Sequence, residues 1–176
     1  VVDPNGNQTD YAYDAFNRVI SITRPGNVVT HFQYDVQGNL AKVVDPEGEP
    51  ANPALGHTTT YTYDDMGRMI GTSSPDSGTT TYGYRAEGTL VWRIDARGIR
   101  TDYTTDVLYR TLQASYPAVG DLGAYTVNYT YDQRANGKGH LTTVVDPSGT
   151  TLLNYDARGR LKEKKSTVSG FQFTLS

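Results

Sequence analysis

The chain has 176 residues, a formal net charge of −3 and no cysteine. Its length suits one domain, its weak negative charge gives no electrostatic basis for binding nucleic acid, and the lack of cysteine excludes disulfides, zinc–thiolate sites and thiol nucleophiles. The 14 tyrosines and 18 glycines favour strands and tight turns, and no stretch approaches the ~20 apolar residues of a membrane span.

A Tyr–Asp pair, or a degenerate form of it, recurs along the chain with a basic period of 21 residues. Insertions lengthen this period before the third and the sixth of the seven marks. The fourth residue of each mark is often Gly or Asn, which take a positive φ most readily. We therefore predict seven tight turns, named here the Tyr–Asp turns, which begin at Asp14, Asp35, Asp64, Arg85, Asp106, Asp132 and Asp156.

A second series of turns alternates with the first, about ten residues later. Sequences such as DPNG, DPEG and DPSG combine an aspartate that can bond forward to the backbone, a proline that presets φ and a glycine that closes a hairpin. We name these eight the Asp–Pro turns, and they begin at Asp3, Arg24, Asp45, Ser74, Asp95, Tyr116, Asp146 and Ser166. The two series enclose 14 segments of about seven residues each.

The enclosed segments have the alternation of strands. Those that lead into the Tyr–Asp turns carry aromatic residues two positions apart, which places both rings on one face: Tyr11 and Tyr13, Phe32 and Tyr34, Tyr61 and Tyr63, Tyr82 and Tyr84, and Tyr129 and Tyr131. The returning segments, such as RVISI and HLTTVV, are aliphatic with charges, and no window has a helical apolar stripe. The pattern predicts an all-β antiparallel meander of long hairpins, with at most a short helical turn in an inserted loop.

The units YDDMGRM (63–69) and YDARGRL (155–161), alternating with DPEG and DPSG, resemble the YD repeats, also called Rhs repeats. These occur in Rhs and wall-associated polymorphic toxins, in the C components of ABC toxin complexes and in teneurins. The resemblance covers nearly the whole chain as a single array, 1–176, of about seven repeats. It implies a curved single-layer sheet that is a segment of a spiral β-shell.

The resemblance also implies a function. The array would be a wall segment of a hollow shell that encapsulates a C-terminal toxin or effector, in a large bacterial protein that is secreted or displayed at the cell surface. Its partners would be the neighbouring repeats of the parent chain and the enclosed effector. No enzymatic activity and no cofactor are expected.

The residues expected to carry the repeat are structural, not catalytic. They are Tyr13, Asp14, Tyr34, Asp35, Gly38, Asp45, Pro46, Gly48, Tyr63, Asp64, Gly67, Arg68, Tyr131, Asp132, Gly139, Asp146, Pro147, Gly149, Tyr155, Asp156, Gly159 and Arg160. Two turns depart from the repeat pattern, because Arg85 replaces the aspartate of one and Tyr109 stands where the next favours glycine. The chain also lacks a match to the shell-closing core region and to a toxin domain, so we expect it to be a fragment of a longer protein.

Other chemistry is weakly indicated. The histidines His31, His57 and His140 are not at metal-ligand spacing, and the aspartates at turn starts are explained by turn formation. The alternative function is a cell-surface adhesion module that binds carbohydrate or protein through the tyrosine-rich face or the inserted loops EPANPALG and PAVGDLG. The terminal sequence SGFQFTLS has two aromatics, no charge and no proline, so we expect edge-to-edge pairing with another copy, or with another part of the parent chain, through 170–176 or 7–13.

Overall fold

The computed structural model describes residues 1–45 and 57–175, and every regular element in these ranges is a β-strand. The described residues contain no helix that could cross a membrane. The strands are β1 Asp10–Tyr13, β2 Val19–Arg24, β3 Val28–Tyr34, β4 Leu40–Val44, β5 Thr58–Tyr63, β6 Met69–Ser74, β7 Gly78–Tyr84, β8 Leu90–Ile94, β9 Arg100–Thr105, β10 Thr111–Tyr116, β11 Tyr125–Tyr131, β12 Leu141–Asp146, β13 Gly149–Tyr155, β14 Leu161–Val168 and β15 Phe171–Leu175.

The strands form one sheet in which the spatial order is the chain order, β1 to β15. The 14 segments predicted between the turns are β1 to β14, so the predicted meander is confirmed, and β15 follows the last turn. The expected turn start at Ser166 is wrong. Strand β14 continues through Ser166 to Val168, and Ser169 and Gly170 make the turn with φ of 48° and 84°.

Two compact units make up the chain. One comprises Val1–Tyr82 with Asp95–Arg97, and the other comprises Gly83–Ile94 with Gly98–Ser176. Neither has a conventional core, because a single layer of strands leaves both faces accessible. Among the described residues of the first unit Val44 is the buried apolar side chain, and in the second it is Ala114.

Six hairpins closed by Tyr–Asp turns contain β-bulges. In the first, Tyr13 lies opposite Val19 and Ala12 lies opposite Ser21, so Ile20 is an extra residue on the returning strand. The same register shift occurs next to Tyr34, Tyr63, Tyr131 and Tyr155 and between Thr111 and Gln113. A bulge increases the local twist and re-aims the side chains beyond it. The period-two pattern alone did not predict these extra residues.

The register gives the sheet two different faces. On the face that we name aromatic, Phe32 and Tyr34 of β3 lie opposite Val43 and Leu40 of β4. The predicted placement of the paired rings on one face is therefore confirmed for this hairpin.

The other face, named the polar face, carries hydroxyl, amide and charged groups. In the first unit Lys42, Thr60, Ser73 and Thr79 follow one another across four strands. In the second unit the Gln113 amide donates to the Asn128 side-chain oxygen at 2.8 Å.

Candidate functional site

The aspartate of a Tyr–Asp turn closes the turn with its carboxylate. In the first turn, Asp14 Oδ1 accepts the backbone N–H groups of Phe16 and Arg18, both at 2.9 Å. The Asp14 N–H donates to the Arg18 carbonyl at 2.9 Å, and the Asn17 N–H donates to the Asp14 carbonyl at 3.0 Å. A short carboxylate side chain at this position thus satisfies backbone donors that would otherwise point into the turn.

The same bonds recur in the other turns of the series. Pairs of backbone N–H groups are accepted by Oδ1 of Asp35, Asp64, Asp106 and Asp156. The fourth residues of these turns adopt the expected positive φ, at Asn17, Gly38, Gly67 and Gly159. The predicted role of the aspartates as turn formers agrees with this geometry.

The residue four positions after the aspartate binds its other oxygen. Arg18, Arg68, Arg110 and Arg160 each donate Nε to Oδ2, at 2.7–2.8 Å, and Asn39 Nδ2 donates to Asp35 at 2.9 Å. Arg68 and Arg160 are among the residues predicted to carry the repeat, whereas Arg18 and Arg110 are not. The recurrence of arginine at this offset in four turns was the signal that could have identified them.

The tyrosine before the aspartate connects consecutive repeats. The Tyr34 hydroxyl donates to the carbonyl of Val19 at 2.9 Å, that of Tyr63 donates to Leu40 at 2.9 Å, and that of Tyr155 donates to Leu141 at 2.7 Å. Each acceptor is the first residue of the returning strand in the preceding Tyr–Asp hairpin. In these three repeats the hydroxyl therefore ties a hairpin to the one before it.

The arginines reinforce this connection. The Arg18 guanidinium lies 4.4 Å from the centroid of the Tyr34 ring, and that of Arg110 lies 4.5 Å from the Tyr131 ring. Arg110 also forms an ion pair at 2.7 Å with Asp132, the aspartate of the following Tyr–Asp turn. One arginine thus bonds to the aspartate of its own turn and stacks on the tyrosine of the next.

The hydrogen bonds lower the pKa values of the turn carboxyls. For Asp14, Asp64 and Asp156 the largest cause is the backbone N–H of the arginine four residues later. For Asp132 the largest cause is the Arg110 side chain, and the bonds to Asp132 and Asp106 raise the pKa of that arginine. These carboxylates are held in the charged form and do not act as proton donors at neutral pH.

The longest Tyr–Asp turn differs in its backbone. Asp132 itself has a positive φ of 65°, its N–H donates to the His140 carbonyl at 3.1 Å, and its Oδ1 accepts the Gly139 N–H at 2.6 Å. His140 stacks on the Tyr155 ring with centroids 4.4 Å apart.

The two turns that depart from the repeat pattern, at Arg85 and at Tyr109, keep the backbone hydrogen bonds that close the other turns. The Arg85 N–H donates to the Thr89 carbonyl at 2.9 Å, and the Gly88 N–H donates to the Arg85 carbonyl at 3.0 Å. Tyr109 adopts the glycine-like conformation, with φ of 62°, and its N–H donates to the Asp106 carbonyl.

The Asp–Pro turns use the same chemistry. Asp146 Oδ1 accepts the N–H groups of Ser148 at 2.8 Å and Gly149 at 3.1 Å, the two residues that follow Pro147. The Asp45 N–H donates to the His57 carbonyl at 3.0 Å. The predicted residues Pro46 and Gly48 lie outside the described residues.

The remaining predicted tyrosine, Tyr13, is half-exposed on the aromatic face opposite Val19. Within the two described ranges, no group of three His, Asp or Glu side chains could hold a metal ion. The Tyr–Asp turns therefore bring together groups that fix backbone geometry, and their carboxylates are occupied by amide and guanidinium donors.

Replacing Tyr155 by Phe should lower the free energy of unfolding by about 1 kcal/mol, because the hydroxyl bond to Leu141 is lost while the ring still stacks on His140. Urea denaturation followed by circular dichroism measures the loss. Tyr125→Phe is the matched control, since no described residue is hydrogen-bonded to the Tyr125 hydroxyl. Equal stability of the two variants would contradict a tie between repeats through this hydroxyl.

These turns and the ties between them define a repeat protein built from β-hairpins. The family model for the RHS repeat matches residues 1–29, 15–50, 52–79 and 136–170. These matches cover more than half of the chain, which therefore belongs to the RHS repeat family. No curated protein matches the chain.

Solved structures of Tc toxin components have a similar fold. A TcdB2–TccC3–TEV crystal structure aligns with a TM-score of 0.72 and 19% identity, covering 97% of this chain and 9% of that chain. A Photorhabdus luminescens Tc holotoxin pore aligns with a TM-score of 0.72 and 20% identity, covering 96% and 9%. A TcdB2–TccC3–Cdc42 structure aligns with a TM-score of 0.55 and 18% identity, covering 96% and 12%. The chain thus has the length of a small part of these proteins.

Proposed function

We propose that this chain is a wall segment of a hollow β-shell that encapsulates a C-terminal toxin or effector in a large exported bacterial protein. The observation that carries the proposal is the single-layer meander whose consecutive hairpins are tied by Tyr–Asp turns, in a member of the RHS repeat family. The fold similarity to parts of TcdB2–TccC3 supports it.

The bonding pattern suits a wall. Contacts are made with the preceding and following hairpins, so a sheet of this kind can be extended by repetition, as in other repeat proteins. Its two faces differ in chemistry, so the side chains that would line an enclosed space can differ from those that would face the outside. The turn carboxylates already accept backbone and guanidinium donors, and we propose a structural role without catalysis.

The test uses the complete parent polypeptide that contains this sequence. The purified protein is treated with protease, and the survival of the polypeptide that follows the repeats is measured by mass spectrometry over time. We expect that polypeptide to resist digestion. In a Gly149→Ala variant, which should break the pairing of β13 with β14, it should become sensitive, whereas a Gly139→Ala variant should leave it protected.

A following polypeptide that is digested equally fast in all three proteins would overturn the encapsulation proposal. Adhesion through the tyrosine-rich face or the PAVGDLG loop is the competing function, and it predicts binding of the intact protein to a glycan array. Saturable glycan binding together with an unprotected C-terminal region would favour adhesion.

A further inference from the structure

The second unit contains a cleft between two neighbouring Tyr–Asp turns, those that begin at Arg85 and Asp106. Its volume is about 350 Å³, which exceeds the size of a single amino-acid side chain. It is lined mainly by Glu87, Thr89, Leu90, Thr105, Tyr109 and Thr111. Backbone groups of Thr89 and Tyr109 take part in closing the two turns, but the side chains that line the cleft form none of the ties between repeats described above.

The two turns beside the cleft are the two that depart from the repeat pattern. Tyr109 is 63% exposed and has φ of 62°, although Gly67 and Gly159 fill the equivalent position elsewhere without strain. An aromatic residue in this conformation costs roughly 1–2 kcal/mol. Strain of this kind is concentrated at binding and catalytic sites. The turn itself does not require a tyrosine at this position. We therefore attribute the strained conformation to the ring that it places beside the cleft.

The lining of the cleft has one negatively charged side chain and no positively charged one. Glu87 is exposed, and no other described residue forms an ion pair or hydrogen bond with its carboxylate. Arg110, the residue after Tyr109 in the chain, is already paired with Asp106 and Asp132. The remaining polar side chains in the lining are hydroxyls, which can accept hydrogen bonds.

An aromatic ring, an unpaired carboxylate and hydroxyl oxygens are the groups that bind an organic cation. The unpaired charge of Glu87, together with a lining that has no side-chain amide or guanidinium, favours a cation over a neutral sugar. One carboxylate matches a single positive charge, whereas a free polyamine carries several. Leu90 offers an apolar surface for the aliphatic stem of a long cationic side chain.

We propose that this cleft, named the cation cleft, binds a lysine or arginine side chain of a partner polypeptide. The site is independent of the wall function, because it uses two side chains that the hairpin geometry does not need. It would add a specific contact to an otherwise repetitive surface.

The first measurement is a titration of the ¹⁵N-labelled chain with Nα-acetyl-lysine methylamide, followed by amide chemical shifts. We expect saturable shifts at Gly88 and across residues 105–111, with Kd in the millimolar range, roughly 1–10 mM. The norleucine analogue, which lacks the charge, and methyl glucoside should give no saturable shifts. Saturable shifts with the glucoside would overturn the assignment to a cation, and spermidine binding about tenfold or more tightly than the lysine probe would overturn the assignment to a single side chain.

Two variants test the proposed groups. Glu87→Gln and Tyr109→Gly should each weaken binding of the lysine probe by about fivefold or more. Tyr109→Gly should also raise the melting temperature, because glycine relieves the strained backbone, so weaker binding cannot be attributed to unfolding. Asp65→Asn is the matched control: it removes one negative charge from another Tyr–Asp turn and should leave Kd unchanged. Unchanged binding in both test variants would overturn the proposal.

Discussion

Replacing Gly149 by Ala should lower the free energy of unfolding by about 3 kcal/mol. Gly149 begins β13 with φ of 152°, opposite Val168 of β14. A Cβ added there would overlap the carbonyl oxygen of Thr167. Because the obstructing atom belongs to the backbone of the paired strand, it cannot move aside without breaking hydrogen bonds between β13 and β14.

Gly139→Ala is the control for this substitution. Gly139 has φ of 82°, and an added Cβ would meet no atom within 4 Å. Its replacement should cost only the strain of a positive φ, about 1–2 kcal/mol. Urea denaturation of both variants, monitored by circular dichroism, compares the two costs. Equal losses would show that the close approach of β14 is not what requires glycine at position 149.

Acidification should unfold the chain in a narrow pH range. The pKa values of turn carboxyls are lowered from the ordinary 3.8 at Asp3, Asp14, Asp35, Asp64, Asp106, Asp132, Asp146 and Asp156. A group whose pKa is lower in the folded state stabilises that state above its unfolded pKa, and this contribution is lost as the pH falls through the folded pKa. Stability should therefore change little above about pH 5 and decline steeply below about pH 4.

The urea midpoint measured between pH 7 and pH 2.5 tests this expectation. A triple variant with Asn in place of Asp14, Asp64 and Asp156 should be less stable at neutral pH and should lose less stability on acidification. Added salt should not abolish the decline, because backbone hydrogen bonds are the largest cause of the lowered pKa at these three positions. A decline of the same steepness in the triple variant would exclude the turn aspartates as its source.

The fold was predictable because its turns have local chemical requirements. An aspartate that bonds to the next backbone amides and a glycine or asparagine with positive φ are both visible in a short stretch of sequence, and the strands are what remains between them. Asp64 and Gly67 are an example, since the Asp64 carboxylate accepts two backbone N–H groups of its turn and Gly67 has a positive φ.

The contacts between repeats were harder to predict. The stacking of Arg18 on Tyr34 depends on the register of β2 with β3, and the bulge at Ile20 lies between Arg18 and the part of β2 that pairs with β3 from Ser21 onward. No residue type marks a bulge of this kind, because the extra residue is isoleucine here and threonine in the β11–β12 hairpin. Composition also could not locate a core, since a one-layer sheet buries almost none of its side chains.

The tyrosine hydroxyl bonds give the array a direction. The carbonyl of Val19 receives its bond from Tyr34, and that of Leu141 receives its bond from Tyr155, so in each case the donor lies later in the chain by 15 and 14 residues. A ribosome releases the acceptor hairpin before the donor strand. Each of the three hairpins that accept such a bond is therefore completed only when the next hairpin has emerged, so these parts of the sheet are completed one hairpin behind synthesis.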